Sequence, residues 1–157
     1  MGIHSNVKEE IKEAIKLRDR ERLTTLRSMV AEFTNEAIKE GLDRDADLPD
    51  EKAQEVINRL VKQRRDSIEQ FKGAGRDDLA MTERHELSVL EKYLPEQMTE
   101  DEIRRYLENK IKEMEVTSRD KKGALLGATM KELKGYVDGR VVKRVADELV
   151  PDDSSDA

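Results

Sequence analysis

The 157-residue chain has no cysteine and no tryptophan, two histidines, three prolines and eight glycines, and only 3% of it is aromatic. Each shortage excludes something. Without cysteine there is no disulfide, no thiolate zinc site and no cysteine nucleophile. His4 and His85 are too few for a histidine-built metal centre, and no metal or cofactor is expected. Scarce glycine and proline argue against a β protein made of tight turns. No run of about 18 apolar residues exists, so no membrane span is expected. Met1 to Glu10 also lack the basic start and apolar stretch of a secretory signal. The GxSxG, HExxH, P-loop and dinucleotide glycine patterns are missing too. What is abundant is charge: 30 Lys and Arg against 36 Asp and Glu, a formal net of -6, with 42% of residues charged. Glu, Lys, Arg, Leu and Ala in such proportion describe helices. The expectation is an acidic, cytoplasmic, all-α protein.

Apolar residues recur at helical spacing almost throughout. Asn6 with Glu9 reads as a capping box, followed by the stripe Val7, Ile11, Ala14 and Ile15. Arg18 to Glu21 is wholly charged. Leu23, Leu26, Val30, Phe33 and Ala37 then form a seam that ends at Gly41. Asp43 to Pro49 is a polar turn, with Pro49 suited to a first helical position. Asp43, Asp45, Asp47 and Asp50 lack the central glycine and closing glutamate of a calcium loop. A third helix carries Ala53, Val56, Ile57, Leu60, Ile68 and Phe71 and stops at Gly73; a fourth carries Leu79, Leu87, Leu90 and Leu94. Pro95 breaks the pattern, and Thr99 with Glu102 is a second capping box. Ile103, Tyr106, Leu107, Ile111 and Met114 mark a fifth helix, Leu125, Ala128 and Leu133 a sixth, and Val141, Val142, Val145 and Leu149 a seventh. The predicted organisation is two helical bundles, four helices in residues 1–95 and three in 96–150, with a disordered acidic tail at 151–157. So short a second bundle is marginal alone and is expected to dock on the first or on a partner.

The charge is segregated. Residues 119–144 hold eight bases (Arg119, Lys121, Lys122, Lys131, Lys134, Arg140, Lys143, Arg144) and three acids, a net of +5 in an acidic chain. Within this island, Lys134-Gly135-Tyr136-Val137-Asp138-Gly139-Arg140 joins two helices. Gly135 suits a left-handed helix cap and Asp138 an N-cap. Two glycines allow close backbone approach, and the bases lie beside a helix start that favours anions. Asp138 weighs against this, because it already caps that start and repels phosphate. No catalytic residue is expected. His85 has Glu83 and Glu86 at hand but no nucleophile, and it reads as a surface histidine; His4 is expected in a frayed terminus. Lys62-Gln63-Arg64-Arg65-Asp66 is a weaker phosphate candidate, since Arg64 has Asp66 or Glu69 as a local partner.

Three collinear blocks resemble the GatB/YqeY family. The first is Lys62 to Lys72 with Ala74 to Leu79. The second is Glu86-Leu87 leading to Tyr93-Leu94-Pro95-Glu96-Gln97-Met98. The third is Gly123, Gly127 and Lys134-Gly135 followed by Asp138-Gly139-Arg140-Val141-Val142. The chain resembles free-standing YqeY-like proteins, whose C-terminal half is similar to the tail domain of the tRNA-dependent amidotransferase B subunit. The resemblance implies four helices followed by three, and a tail-like half that contacts the body of a tRNA. It does not imply catalysis, which lies in amidotransferase domains that have no counterpart in this chain. The family commonly has Gly-Lys where this chain has Gly123-Ala124. The leading expectation is an accessory tRNA-binding protein without intrinsic activity, gripping phosphates through Lys121, Lys122, Lys131, Lys134, Gly135, Gly139, Arg140, Lys143 and Arg144. Neither DNA nor a membrane is an expected partner. One rival is an interaction module that docks on an aminoacyl-tRNA synthetase or an amidotransferase component. A second is a carbon–nitrogen ligase using glutamine as amide donor.

Overall fold

A computed structural model describes residues 2–151. Among the described residues there are seven α-helices, one 3₁₀ turn and no strand. They fall into two compact units, one ending at Leu94 and the other beginning at Pro95.

The N-terminal unit holds α1 (Ile3–Leu17), α2 (Arg20–Lys39), α3 (Asp50–Gly73) and α4 (Asp77–Glu91). Its core gathers Val7, Ala14, Leu26, Met29, Phe33, Ala53, Val56, Ile57, Val61 and Leu90, so the apolar stripes of all four helices meet. Each large side chain removed from water contributes on the order of 1.5–3 kcal/mol, which outweighs any single surface pair. Helix α1 starts earlier than Asn6 and Glu9 suggested. Gly2 is its N-cap, and the Ile3 N–H donates to Asp50 Oδ1 at 2.8 Å. That contact between distant segments displaces the local capping box. The charged stretch after α1 ends it: Arg18 turns left-handed at φ 56°, and Asp19 caps α2 by accepting the Arg22 N–H. Ile15, expected in the core, is exposed. Pro49 sits one residue earlier than expected, as the N-cap of α3.

His4 overturns the expectation of a frayed end. It is 2% exposed, its ring lies 5.1 Å from that of Phe33, and its Nδ1 accepts the Leu48 N–H at 2.9 Å. Burial, and then nearby Lys8, hold its pKa below the ordinary value.

The C-terminal unit holds α5 (Glu100–Met114), the 3₁₀ turn Arg119–Lys121, α6 (Lys122–Leu133) and α7 (Gly139–Leu149). Ile103, Leu107, Val116, Leu125, Val137, Val142, Val145, Ala146 and Val150 form its core. Thr99 and Glu102 make the reciprocal capping box of α5 that their spacing predicted. Of the tail predicted at 151–157, only Pro151 belongs to the described residues; the rest lies outside them.

Candidate nucleic-acid interface

The corner between α6 and α7 is built by local backbone chemistry. Lys134 caps α6 and Gly135 takes φ 89°, a left-handed value that a side chain would strain. The Tyr136 N–H returns to the Leu133 carbonyl at 2.9 Å. Val137 turns into the core. Asp138 then caps α7, its Oδ1 accepting the Arg140 N–H at 3.0 Å. Gly139 lies against the end of α6: a Cβ placed there would meet the Met130 methyl at 3.5 Å.

A second segment holds this corner in place. Gln97 Nε2 donates to the carbonyls of both Pro95 and Gly135 at 2.8 Å, and the Met98 N–H donates to the Tyr136 carbonyl at 2.9 Å. The residues just after Pro95 thus act as a strap under the turn. Sequence reasoning singled out Gln97 and Met98 only as part of a familiar block, because their partners lie 38 residues away in sequence.

The nine predicted contact residues separate by environment. Lys131, Lys134 and Lys143 are exposed and form no ion pair among the described residues. Lys131 and Lys134 lie at the end of α6, and Lys143 lies one turn beyond half-buried Arg140 on the outer face of α7. With Gly139 against Met130, the end of α6 and the start of α7 are brought together with Gly135 and Gly139 between them. Lys121 is exposed and donates to the Glu115 carbonyl at 3.3 Å. Arg144 is bound by Glu100 and lies 3.6 Å from Glu148; Glu100 in turn is held below its ordinary pKa by that hydrogen bond.

Lys122 requires a correction. It is 8% exposed, and its ammonium lies 2.9 Å from Asp147 Oδ1. The cause is its place in the first turn of α6, next to the last turns of α7, where its stem covers the core and its charge meets a carboxylate. It ties two helices together instead of facing solvent. Gly123, which follows it, is exposed with open space around its Cα.

Charge order on α7 is unusual. A helix start carries roughly half a positive charge and favours acids, while its end favours bases. Helix α5 obeys, with Glu100, Asp101 and Glu102 in its first turn and Lys112 in its last. Helix α7 reverses the order: Arg140, Lys143 and Arg144 come first and Asp147 and Glu148 last, with no acid in its first turn. The cations therefore gather at a helix start whose positive end is partly offset by the Asp138 carboxylate that caps it.

The other candidates resolve as structural. Arg64 pairs with Glu83 at 3.4 Å and Glu86 at 2.7 Å, and Arg65 with Glu91 at 3.7 Å. The Lys62–Asp66 cluster thus fastens α3 to α4, rather than pairing Arg64 only within its own helix. His85 Nε2 lies 3.3 Å from Glu21 on α2, an exposed tertiary contact. Tyr106, bound to Glu132 and pushed up to about 12 chiefly by burial, joins α5 to α6 together with Lys110, 3.0 Å from the same carboxylate. Ile111, Lys112, Glu115, Val116, Thr117 and Lys121 line an open depression of about 440 Å³. Among the described residues no group of three or more His, Asp or Glu is placed to hold a metal ion. No helix among them is long and apolar enough to cross a membrane.

Comparison with known proteins gives the family. A family model described as Yqey-like protein matches residues 4–150. The chain belongs to that family. Among curated proteins it is similar to "Altered inheritance of mitochondria protein 41, mitochondrial" from several fungi. The Eremothecium gossypii protein is 33% identical over 90 residues, 57% of this chain and 48% of the relative. The Candida glabrata protein is 34% identical over 99 residues, 60% of this chain and 53% of the relative. The Saccharomyces cerevisiae protein is 27% identical over 135 residues, 85% of this chain and 69% of the relative. The chain thus spans about half the length of the first two relatives. These names also correct the cytoplasmic expectation, since the relatives are named as mitochondrial proteins.

Proposed function

We propose that the chain binds tRNA as an accessory factor, without chemistry of its own, and that the α6–α7 corner is its contact surface. The observation that carries the reading is the corner itself. Lys131, Lys134 and Lys143 stand exposed and without an ion pair among the described residues around a helix start whose one acid is the capping Asp138. The similarity of the C-terminal half to an amidotransferase tail domain supports a tRNA in particular. Lys122 is no longer among the proposed contacts, because its charge is already met by Asp147. Recognition here rests on phosphates and shape.

The test is tRNA affinity over a salt series for the wild type and Lys134→Ala/Lys143→Ala. The double variant should lower the salt slope by roughly 1.4 to 1.8, at about 0.7 to 0.9 per lost phosphate contact. An unchanged slope, or wild-type binding indifferent to salt, would sink the proposal. Protein docking is the second reading, favoured by exposed Ile15, Leu17 and Met81 on the N-terminal unit. It would show as partner binding that resists salt.

A further inference from the structure

Tyr136 is placed differently from the other two tyrosines. Tyr93 packs against the core of its unit, and Tyr106 is bound to Glu132. Tyr136 is 49% exposed, at the tip of the α6–α7 corner, between Lys134 and Arg140 in the chain. Burying an aromatic ring is the usual outcome, because it removes a large apolar area from water. Here the ring stays half exposed while the main chain that carries it is held: the Tyr136 N–H is tied to Leu133 and its carbonyl to Met98, and Gln97 holds the carbonyl of the preceding Gly135. The neighbouring Val137 takes the inward position. The half-exposed ring is therefore carried on a clamped main chain, with Lys134 two residues before it and Arg140 four residues after it in the chain.

That is the make-up of a stacking platform. Flat aromatic surface accepts the face of any nucleobase, and cations beside it hold the flanking phosphates. A perfect duplex presents its bases only by their edges along its length, so a stacked base has to come from a loop, a bulge or an exposed end. We infer that Tyr136 stacks on one unpaired or terminal nucleobase of the bound RNA, so that the corner selects structured RNA with an exposed base plane over uniform duplex. The inference rests on the RNA-binding reading above and adds to it the class of RNA bound and the residue that senses it.

The experiment uses the full chain with two RNA probes of equal length and charge. One is a stem-loop with 2-aminopurine among its unpaired bases; the other is a continuous duplex with capped ends. Tyr136→Ala, Tyr136→Phe and Tyr136→Leu are compared with the wild type, with melting temperatures checking the fold. Tyr136→Ala should weaken stem-loop binding roughly 5- to 150-fold, the range for loss of one stacked base. Its salt slope should stay at the wild-type value, because no phosphate contact is removed. Tyr136→Phe should bind within about twofold of the wild type and preserve the change in 2-aminopurine fluorescence, and duplex affinity should not respond to any of the three changes. If Tyr136→Ala binds the stem-loop as the wild type does, while the lysine pair still sets the salt slope, stacking is wrong and RNA binding stands. If Tyr136→Leu matches Tyr136→Phe, the ring is an apolar contact and the inference is overturned. If the wild type binds neither RNA, both readings fall.

Discussion

The two units treat their many charges differently. In the N-terminal unit the arginines reach across to acids on other helices: Arg22 to Glu10, Arg59 to Glu32, Arg64 to Glu86. Helices α2, α3 and α4 each have acid in the first turn, as the peptide dipole prefers. The C-terminal unit follows the same rule in α5 and in the pairs Arg104–Glu148 and Lys110–Glu132. It departs from the rule at the starts of α6 and α7, neither of which has an acid in its first turn, although Asp138 caps α7. Dipole compensation explains the first pattern but not the bases gathered in the first turns of α7. A charge order that opposes the helix dipole makes sense where an anion is to be received.

The largest expected effect tests whether the N-terminal unit is held chiefly by its interior. His4→Ala removes the acceptor of a buried Leu48 N–H and opens a space beside Phe33. Leaving that donor unpaired costs about 1–3 kcal/mol, and the cavity adds to it. A loss of about 2–4 kcal/mol is expected in urea unfolding. The pH dependence has a definite sign. Nδ1 accepts a hydrogen bond only when unprotonated, and the folded ring titrates below 6.5. The stabilisation is thus complete above the unfolded value of 6.5 and declines as pH falls through it toward the depressed folded value. That part of the decline should vanish in the variant. An equal decline in both proteins would assign it to other groups.

His4 also shows where sequence reading stops. The features legible in the chain were those whose partners lie within a turn or two: the Thr99–Glu102 box, the left-handed Gly135, the Asp138 cap and the apolar stripes. Each follows from a local rule of backbone chemistry. His4 finds Leu48 at a separation of 44, Gln97 finds Gly135 at 38 and Lys122 finds Asp147 at 25. No local pattern encodes those meetings. For the interface, the basic island was therefore visible. Which of its cations are already neutralised, and what holds the corner still, depended on the fold.

The next effect in size turns the corner's charge order back toward stability. Gly139 is the first residue of α7, is exposed, and has only the flexible end of the Met130 side chain near its missing Cβ. Gly139→Glu replaces a poor helix former and places an acid at the positive helix start. Together these should stabilise the protein by about 0.5–1.5 kcal/mol. The same substitution sets a carboxylate among Lys131, Lys134 and Lys143, so tRNA affinity should fall while the melting temperature rises. A variant that is more stable and binds RNA undiminished would show that the reversed charge order serves no anion.

The smallest effect compares two neighbours on one helix. Lys143 and Arg144 are adjacent and both exposed, yet Lys143 has no ion pair among the described residues, whereas Arg144 is held by Glu100 and approached by Glu148. If net charge alone governed RNA binding, Lys143→Ala and Arg144→Ala would be equivalent. If availability governs it, they separate. Arg144→Ala should leave the salt slope nearly unchanged, because its charge is already balanced, and cost only a little stability, as exposed pairs do. Lys143→Ala should leave stability alone and lower the slope by roughly 0.7 to 0.9. The comparison needs only two substitutions, measured by urea unfolding and by tRNA binding between low and moderate salt. Equal slopes in the two variants would mean that Glu100 releases Arg144 when RNA arrives, and the boundary drawn between structural and binding cations would have to move.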